Sequence, residues 1–320
     1  MNVLLVKRII IIVITVISLL ILNTVCWKLR KKLKHKGFKV GLSLVSVLGS
    51  IMLLLMLGTF LFTDYILYYP HFNKEAYLQL QNNENLEELE INTPVGKCAG
   101  WMYHSMKEGN TTIILYPGNM FTSEEMMGYS TGFDGGTDGQ GINVITLDYP
   151  GYGRSEGIPT ERTMKSMALA AYDAIISRSD MQDQKIVLMG YSLGTGIANY
   201  VASKRDADGL ILMAPYQNGY DLFNGFADIF HGPMKLFVPY RMRADKFAEK
   251  ISVKPLVMVS KDDELISYES SLALSEKYPA GCEMKTYDGL GHGGFWQDNQ
   301  VWQDIFEYLS DISEQNGAID

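Results

Sequence analysis

Three serines stand in the pattern Gly-x-Ser-x-Gly: GYSTG at Gly128 to Gly132, GRSEG at Gly153 to Gly157 and GYSLG at Gly190 to Gly194. Glycines at both ends of such a motif let a serine occupy the tip of a sharp strand-to-helix turn, where its hydroxyl can attack a carbonyl carbon. Only one of the three contexts supplies the strand and the helix. KIVLMGYSLGTGIANYVAS runs an apolar strand pattern straight into its motif and a helical pattern straight out. GRSEG follows the turn-rich DYPGY and is interrupted by Gly157-Ile158-Pro159, and GYSTG adjoins GFDGGTDGQG, so both read as loops. Ser192 is therefore the candidate nucleophile. The backbone N–H of Leu193, opening the following helix, is a candidate donor to a developing oxyanion, aided by the helix dipole.

A serine hydroxyl needs a base, and the base needs an orienting acid. Of the five histidines, His35 lies in a basic stretch near the N-terminus, His71 follows an apolar run, His104 ends an early strand pattern and His231 falls in a long insertion. Only His292, in YDGLGHGGFW, lies in a glycine-rich loop just after the last strand pattern. For the acid, PLVMVSKDDELIS places Asp262, Asp263 and Glu264 at the C-terminal end of the preceding strand. The competing reading of Gly190, Gly194 and Gly196 is a dinucleotide fingerprint with Tyr200-x-x-x-Lys204. It fails because that motif belongs after the first strand of its fold, and here several strands come first.

The elements that must position these residues alternate along residues 64–320. Strand patterns fall at Cys98 to His104, Thr111 to Tyr116, Asn143 to Asp148, Lys185 to Gly190, Gly209 to Ala214, Pro255 to Ser260 and Glu283 to Tyr287. Helical patterns cover Thr160 to Ser177, Gly194 to Ser203, Glu269 to Lys277 and Gln300 to Ile312. This alternation predicts an α/β architecture, a mostly parallel sheet covered on both faces. Residues 216–253 are too long for an ordinary connection and carry Phe223, Phe226, Phe230, Phe237 and Tyr240, which predicts a helical cap insertion.

The first 63 residues differ from the rest. Ile9 to Trp27 and Val40 to Phe62 are apolar runs of about a bilayer's length, joined by KLRKKLKHKGFK with seven Lys or Arg, and no acidic residue occurs before Asp64. The stretch predicts a transmembrane helical hairpin over residues 1–63, with spans at 9–27 and 40–62. A cleaved signal peptide is a poorer account of the first run, because Asn23-Thr24-Val25-Cys26 offers no small-x-small cleavage site. By the positive-inside rule the basic loop 28–39 is cytoplasmic, which puts residues 64–320 on the non-cytoplasmic face. The first 63 residues take nine of the 28 basic residues, leaving 19 against 36 acidic ones and a net charge of −17 beyond them. Such a balance argues against nucleic acid and anionic headgroups as ligands of that domain.

Ser192, Asp263 and His292 occur in the chain order of the α/β-hydrolases, not in that of chymotrypsin or subtilisin. From about Cys98 to Leu309 the sequence resembles the serine-aminopeptidase-like α/β-hydrolases, near the membrane-anchored Bem46/ABHD13-type proteins. LYPGN resembles their HGN oxyanion loop, DYPGYGRSEG the loop after the fourth strand, GYSLG the nucleophile elbow, SKDDELI the acid turn and GLGH the histidine loop. The resemblance implies an α/β-hydrolase fold: an eight-stranded, mostly parallel sheet with a short helical cap, preceded by two transmembrane helices. It also implies a Ser192-His292-Asp263 triad and an oxyanion hole formed by the N–H groups of Asn119 and Leu193. The sequence departs from the family at Pro117, where a histidine is usual, and at Ser260, where glycine is usual; aligning the acid turn from Ser260 makes Asp263 the triad acid. Asp148 and Arg154 are implied to be structural ties. Cys98 and Cys282, on strands toward opposite ends of such a sheet, are implied to be too far apart for a disulfide.

The expected activity is cleavage of ester-type bonds, carboxylester, lipid or thioester, through an acyl-enzyme, with no metal or organic cofactor. Its substrate is expected to be a small-molecule or lipid acyl compound, beside a membrane bilayer. A serine peptidase is the second expectation on resemblance, and a non-catalytic binding module of the cell envelope is the alternative from outside enzymology.

Overall fold

The computed structural model describes residues 3–131, 140–226, 228, 230–238 and 240–314. Two helices open the chain, α1 (Val3–Lys32) and α2 (Lys36–Leu67). Stretches of 24 and 26 residues within them, Ile9–Lys32 and Lys36–Leu61, are long and apolar enough to cross a membrane. Both helices run past the apolar runs because the basic residues at their join are good helix formers. Polar side chains tie the pair: Asn23 Nδ2 donates to Ser50 Oγ at 3.1 Å, and Ser46 Oγ donates to Asn23 Oδ1 at 2.7 Å.

The chain divides into two compact units, one of residues 1–66 with 229–239, the other of residues 67–228 with 240–320. The larger unit is built on α3 (Lys74–Leu80), β1 (Leu86–Thr93), β2 (Gly96–Tyr103), β3 (Thr111–Tyr116), α4 (Ser123–Thr131), β4 (Ile142–Leu147), α5 (Glu161–Ile176), β5 (Lys185–Tyr191) and α6 (Leu193–Ala202). It continues through β6 (Gly209–Met213), α7 (Gly219–Phe226), α8 (Ala244–Ala248), β7 (Leu256–Ser260), α9 (Tyr268–Ser275), β8 (Glu283–Tyr287) and α10 (Asn299–Glu314). The eight strands form one sheet in the order β1-β2-β4-β3-β5-β6-β7-β8, with β2 antiparallel to both neighbours and all other pairs parallel.

Side chains alternate across each strand, and here both faces are buried, which is why the central strands read as unbroken apolar runs. Ile113, Leu115, Val187, Met189, Ile211, Met213, Leu256 and Met258 share a core with Met126 and Met127 of α4 and Trp302 and Ile305 of α10. The intervening residues, such as Leu188, Gly190 and Leu212, face the layer containing α5 and α6. Cys98 on β2 and Cys282 before β8 sit six strand positions apart, and both are free.

The structure differs from the sequence reading in a few places. LEELEINT, which looks like a polar connection, is the edge strand β1. Its glutamates pair across the edge: Glu87 with Arg178, Glu88 with Arg154 and Glu90 with Lys97. A strand solvated on one side and charged hides from an apolar-run criterion. GYSTG is not a loop over its described part: Gly128 to Thr131 close the helix α4, while the adjoining residues 132–139 lie outside the described residues. The α3 helix is short, and Asn73 caps it by accepting from Ala76 N at 3.1 Å.

Candidate active site

β5 ends at Tyr191 and α6 begins at Leu193, so a single residue makes the turn between them. That residue, Ser192, has φ 50° and ψ −118°, a left-handed conformation costly for any side-chain-bearing residue. Its N–H donates to Met213 O at 2.9 Å, which fastens the turn to the adjacent strand β6. The flanking glycines are steric requirements. A Cβ at Gly190 would lie 2.6 Å from Gly194 O, and a Cβ at Gly194 would lie 2.0 Å from Tyr116 O of β3. Strand, turn and helix can close this tightly only without those atoms.

The loops after β7 and β8 bring the partners. His292 Nε2 stands 2.9 Å from Ser192 Oγ, and its Nδ1 stands 2.8 and 3.0 Å from the two carboxylate oxygens of Asp263. An acceptor-only carboxylate at Nδ1 keeps the proton there and leaves Nε2 to accept from the serine hydroxyl. Asp263 is itself fixed by Leu265 N and Ile266 N, which donate to Oδ1 at 2.9 and 2.8 Å. Its side chain is 3% exposed and that of His292 12%, so the imidazole is the part of the chain of three nearer to solvent.

Neighbours whose contacts the sequence does not show complete the histidine loop. Asp262 accepts from Gly289 N at 2.7 Å and Gly291 N at 3.2 Å, and Glu264 accepts from His292 N at 3.0 Å. The Gly289 N–H, foremost among these contacts, holds the Asp262 carboxyl below its ordinary value. Three consecutive carboxylates thus each hold a different part of one loop. Tyr191 supports it from below, its ring stacked on the imidazole with centroids 5.5 Å apart and its hydroxyl donating to His292 O at 2.8 Å. The sequence shows the tyrosine before Ser192 and the acidic triplet, but not that either reaches the glycine-rich loop.

The other two motif serines hold backbone. Ser155 Oγ donates to Asp148 O at 2.9 Å and accepts from Ala99 N at 2.8 Å, and Ser130 Oγ donates to Met127 O at 3.1 Å. Of the other histidines, His71 pairs with Glu125 and His104 with Glu87. Asp148 accepts from Ser123 N at 2.7 Å and Arg154 N at 3.3 Å, tying the loop after β4 to the start of α4. Burial, and then the nearby Glu124 carboxylate, push the Asp148 carboxyl up to about 7.

Leu193 is fully buried at the first turn of α6, and Asn119 lies in the loop after β3, where Gly118 packs against the Tyr191 ring. Among the described residues, no protein acceptor takes the N–H of Asn119 or Leu193. The first helix of the insertion meets the acid turn, since a Cβ at Gly225 would lie 1.9 Å from Leu265 O. Phe223 and Tyr240 of the insertion are buried, and Tyr240 shares a 2.8 Å hydroxyl contact with Tyr216. Among the described residues, no group of three or more His, Cys, Asp or Glu side chains is placed to hold a metal ion.

A mostly parallel sheet with this strand order, a strained serine between β5 and α6, and a carboxylate and a histidine in the loops after β7 and β8 define the α/β-hydrolase fold. Comparison with known proteins agrees with this fold: the model of the family described as alpha/beta hydrolase fold matches residues 136–248. Alpha/beta hydrolase domain-containing protein 17C of Xenopus tropicalis is 25% identical over 244 residues, 75% of this chain and 76% of that protein. An esterase of Pyrococcus furiosus superposes with a TM-score of 0.61 at 16% identity, covering 76% of this chain and 96% of its own. An alpha-beta hydrolase of Vibrio vulnificus superposes with a TM-score of 0.64 at 17% identity, covering 78% and 92%.

Proposed function

We propose that this chain is a membrane-anchored serine hydrolase that cleaves ester-type bonds through an acyl-enzyme. The unbroken hydrogen-bond sequence from Ser192 Oγ through His292 to Asp263 carries the reading. In the reaction, Ser192 Oγ attacks the acyl carbonyl while His292 Nε2 takes its proton, and Asp263 stabilises the imidazolium that results. The N–H groups of Asn119 and Leu193 receive the oxyanion of the tetrahedral intermediate. His292 then returns the proton to the leaving oxygen or sulfur, and water attacks the acyl-enzyme by the same route in reverse.

The aromatic insertion supports an apolar acyl group as substrate, because its helix α7 touches the acid turn next to Asp263. The solved relative named an esterase is consistent with carboxylester chemistry, whereas the serine-peptidase alternative rests on resemblance to the Bem46/ABHD13-type group. Two apolar helices support the anchor, and the basic residues between them support a cytoplasmic loop with the catalytic domain on the opposite face.

The test is made on the full chain in detergent, with a fluorophosphonate probe and p-nitrophenyl esters of increasing chain length. Covalent labelling and turnover are expected for the wild type, and both are expected to vanish in Ser192→Ala. A folded wild type that takes up no probe and cleaves no ester would leave a binding module as the better reading.

A further inference from the structure

The loop of residues 117–122 carries the Asn119 N–H, so its placement decides whether an oxyanion is met by one donor or two. Part of that placement comes from the body of the fold. Tyr149 Oη donates to Pro117 O at 2.7 Å, and Ser123 N donates to Asp148 Oδ1 at 2.7 Å. The rest comes from residues 69–73, which follow α2 by only two residues.

Tyr152 Oη donates to Asn119 Oδ1 at 2.9 Å and accepts from Tyr69 N at 2.8 Å. An N–H can only donate, so the Tyr152 hydroxyl must take that bond as acceptor and is left with its own hydrogen for Asn119. Direction is thereby fixed along Tyr69 N–H, Tyr152 O–H and Asn119 Oδ1, and each bond polarises the next. The Tyr152 side chain is fully buried, and Gly153 N donates to His71 O at 2.8 Å, so the relay is clamped one residue further on.

A second link reaches the far end of the same loop. Glu125 Oε1 accepts from Asn73 Nδ2 at 2.8 Å, its Oε2 lies 3.2 Å from His71 Nε2, and the same Oε2 accepts from Thr122 N at 2.9 Å. Residues 69–73 therefore touch the loop through Asn119 and through Thr122, at both sides of the turn that Gly118 O and Phe121 N close at 3.3 Å.

We infer that Tyr152 is a positioning residue for the oxyanion loop, and that residues 69–73, where the chain leaves the apolar hairpin, are a working part of the catalytic apparatus. The inference rests on the hydrolase reading for its kinetic side only. The segment beyond the second apolar helix thus does more than connect: displacing it releases Asn119 and Thr122 before it disturbs Ser192, His292 or Asp263, none of which it touches. The measured consequence is a change in kcat with KM spared, since a misplaced oxyanion donor weakens the transition state and not the resting complex.

The experiment compares Tyr152→Phe, Asn119→Ala and the double variant in the full chain in detergent, reading kcat and KM on a p-nitrophenyl ester and hydrogen exchange of the amides in residues 117–122. Tyr152→Phe keeps the ring and deletes the relay. It is expected to lower kcat by about tenfold, the scale of one well-placed hydrogen bond, with KM within about twofold, and to speed exchange of the loop. Asn119→Ala cuts the same bond from its other end, so Tyr152→Phe is expected to add little in that background. Full additivity of the two, or wild-type kcat and loop exchange in Tyr152→Phe, would overturn the inference. A folded wild type without turnover would sink the hydrolase reading alone, and loop exchange in Tyr152→Phe would still decide the positioning role. If Tyr152→Phe does not fold, loop exchange and kcat in Asn119→Ala decide in its place.

Discussion

An added methyl group at Gly190 or Gly194 would lie 2.6 or 2.0 Å from backbone oxygen, whereas one at Gly289 or Gly293 would meet nothing within 4 Å. The first pair flanks Ser192, and the second pair flanks His292. The candidate nucleophile is held chiefly by close packing of strand against helix, with its N–H on Met213 O and the Thr195 hydroxyl on its carbonyl, while its own side chain caps nothing. The candidate base sits on a loop with room beside Gly289 and Gly293, turned by the positive φ of Gly289 and Gly291, and is held by side chains: Asp262, Asp263 and Glu264 from the neighbouring strand end, and Tyr191 beneath. Two residues that meet at 2.9 Å are thus placed by different balances, mainly steric for Ser192 and mainly polar for His292. Damage to the two regions should differ in kind: the elbow should fail as a fold, and the loop as a catalyst.

The largest effect expected is on the loop side. Asp263→Asn keeps the volume and the Oδ1 acceptor for Leu265 N and Ile266 N, but it no longer holds the proton on Nδ1 or stabilises the imidazolium. Turnover should fall by about three to four orders of magnitude while the urea midpoint moves little. A variant that unfolds, or that retains a tenth of its activity, would break the assignment of Asp263 as the orienting acid.

On the elbow side, Gly194→Ala should cost about 4 kcal/mol or more, because the new Cβ must displace the backbone of β3 at Tyr116 and Pro117 and no rotamer avoids it. The check is the equilibrium urea midpoint, or the failure to recover folded protein. An unshifted midpoint would mean that strand and helix do not close as tightly as the geometry requires.

The same contrast explains what the sequence made legible. Steric demands leave marks, since glycine is the only residue that fits, so the elbow could be singled out among three identical motifs by its strand and helix. Order along the chain then pointed to His292 and alignment of the acid turn to Asp263, and the structure brings Ser192, His292 and Asp263 within hydrogen-bond reach of one another in turn. Polar scaffolding leaves fainter marks. Asp262 and Glu264 looked like a charged turn, and Tyr191 like any aromatic residue in a strand, because nothing local shows which loop a side chain will reach. β1 was missed for the same reason: Glu88 and Glu87 pair with Arg154 and Arg178, more than sixty residues away in each case. Tyr152 reads as part of a turn until Tyr69 and Asn119 are seen on its hydroxyl.

The smallest effect sharpens the comparison most, because it asks whether the polar scaffold acts at all. Asp262→Ala removes the acceptor of two loop amides and touches neither Ser192 nor the imidazole. A drop in kcat of a few-fold is expected at neutral pH, from a loop that visits more conformations and presents His292 less often. The pH dependence identifies the cause. The folded Asp262 carboxyl lies below its unfolded value of 3.8, so its contribution to loop order is fully present above that value and is lost as pH falls through the lowered one. Loop amide exchange, corrected for its intrinsic pH dependence, should therefore differ between wild type and Asp262→Ala at pH 7 and converge in strong acid. If the two match already at pH 7, the carboxylate is only a solvated neighbour and the histidine loop is held by Asp263, Glu264 and Tyr191 alone. If they differ equally at every pH, the alanine has acted through some change other than loss of charge, since acid protonates Asp263, Glu264 and His292 in both proteins and the Asp262 carboxylate in the wild type alone.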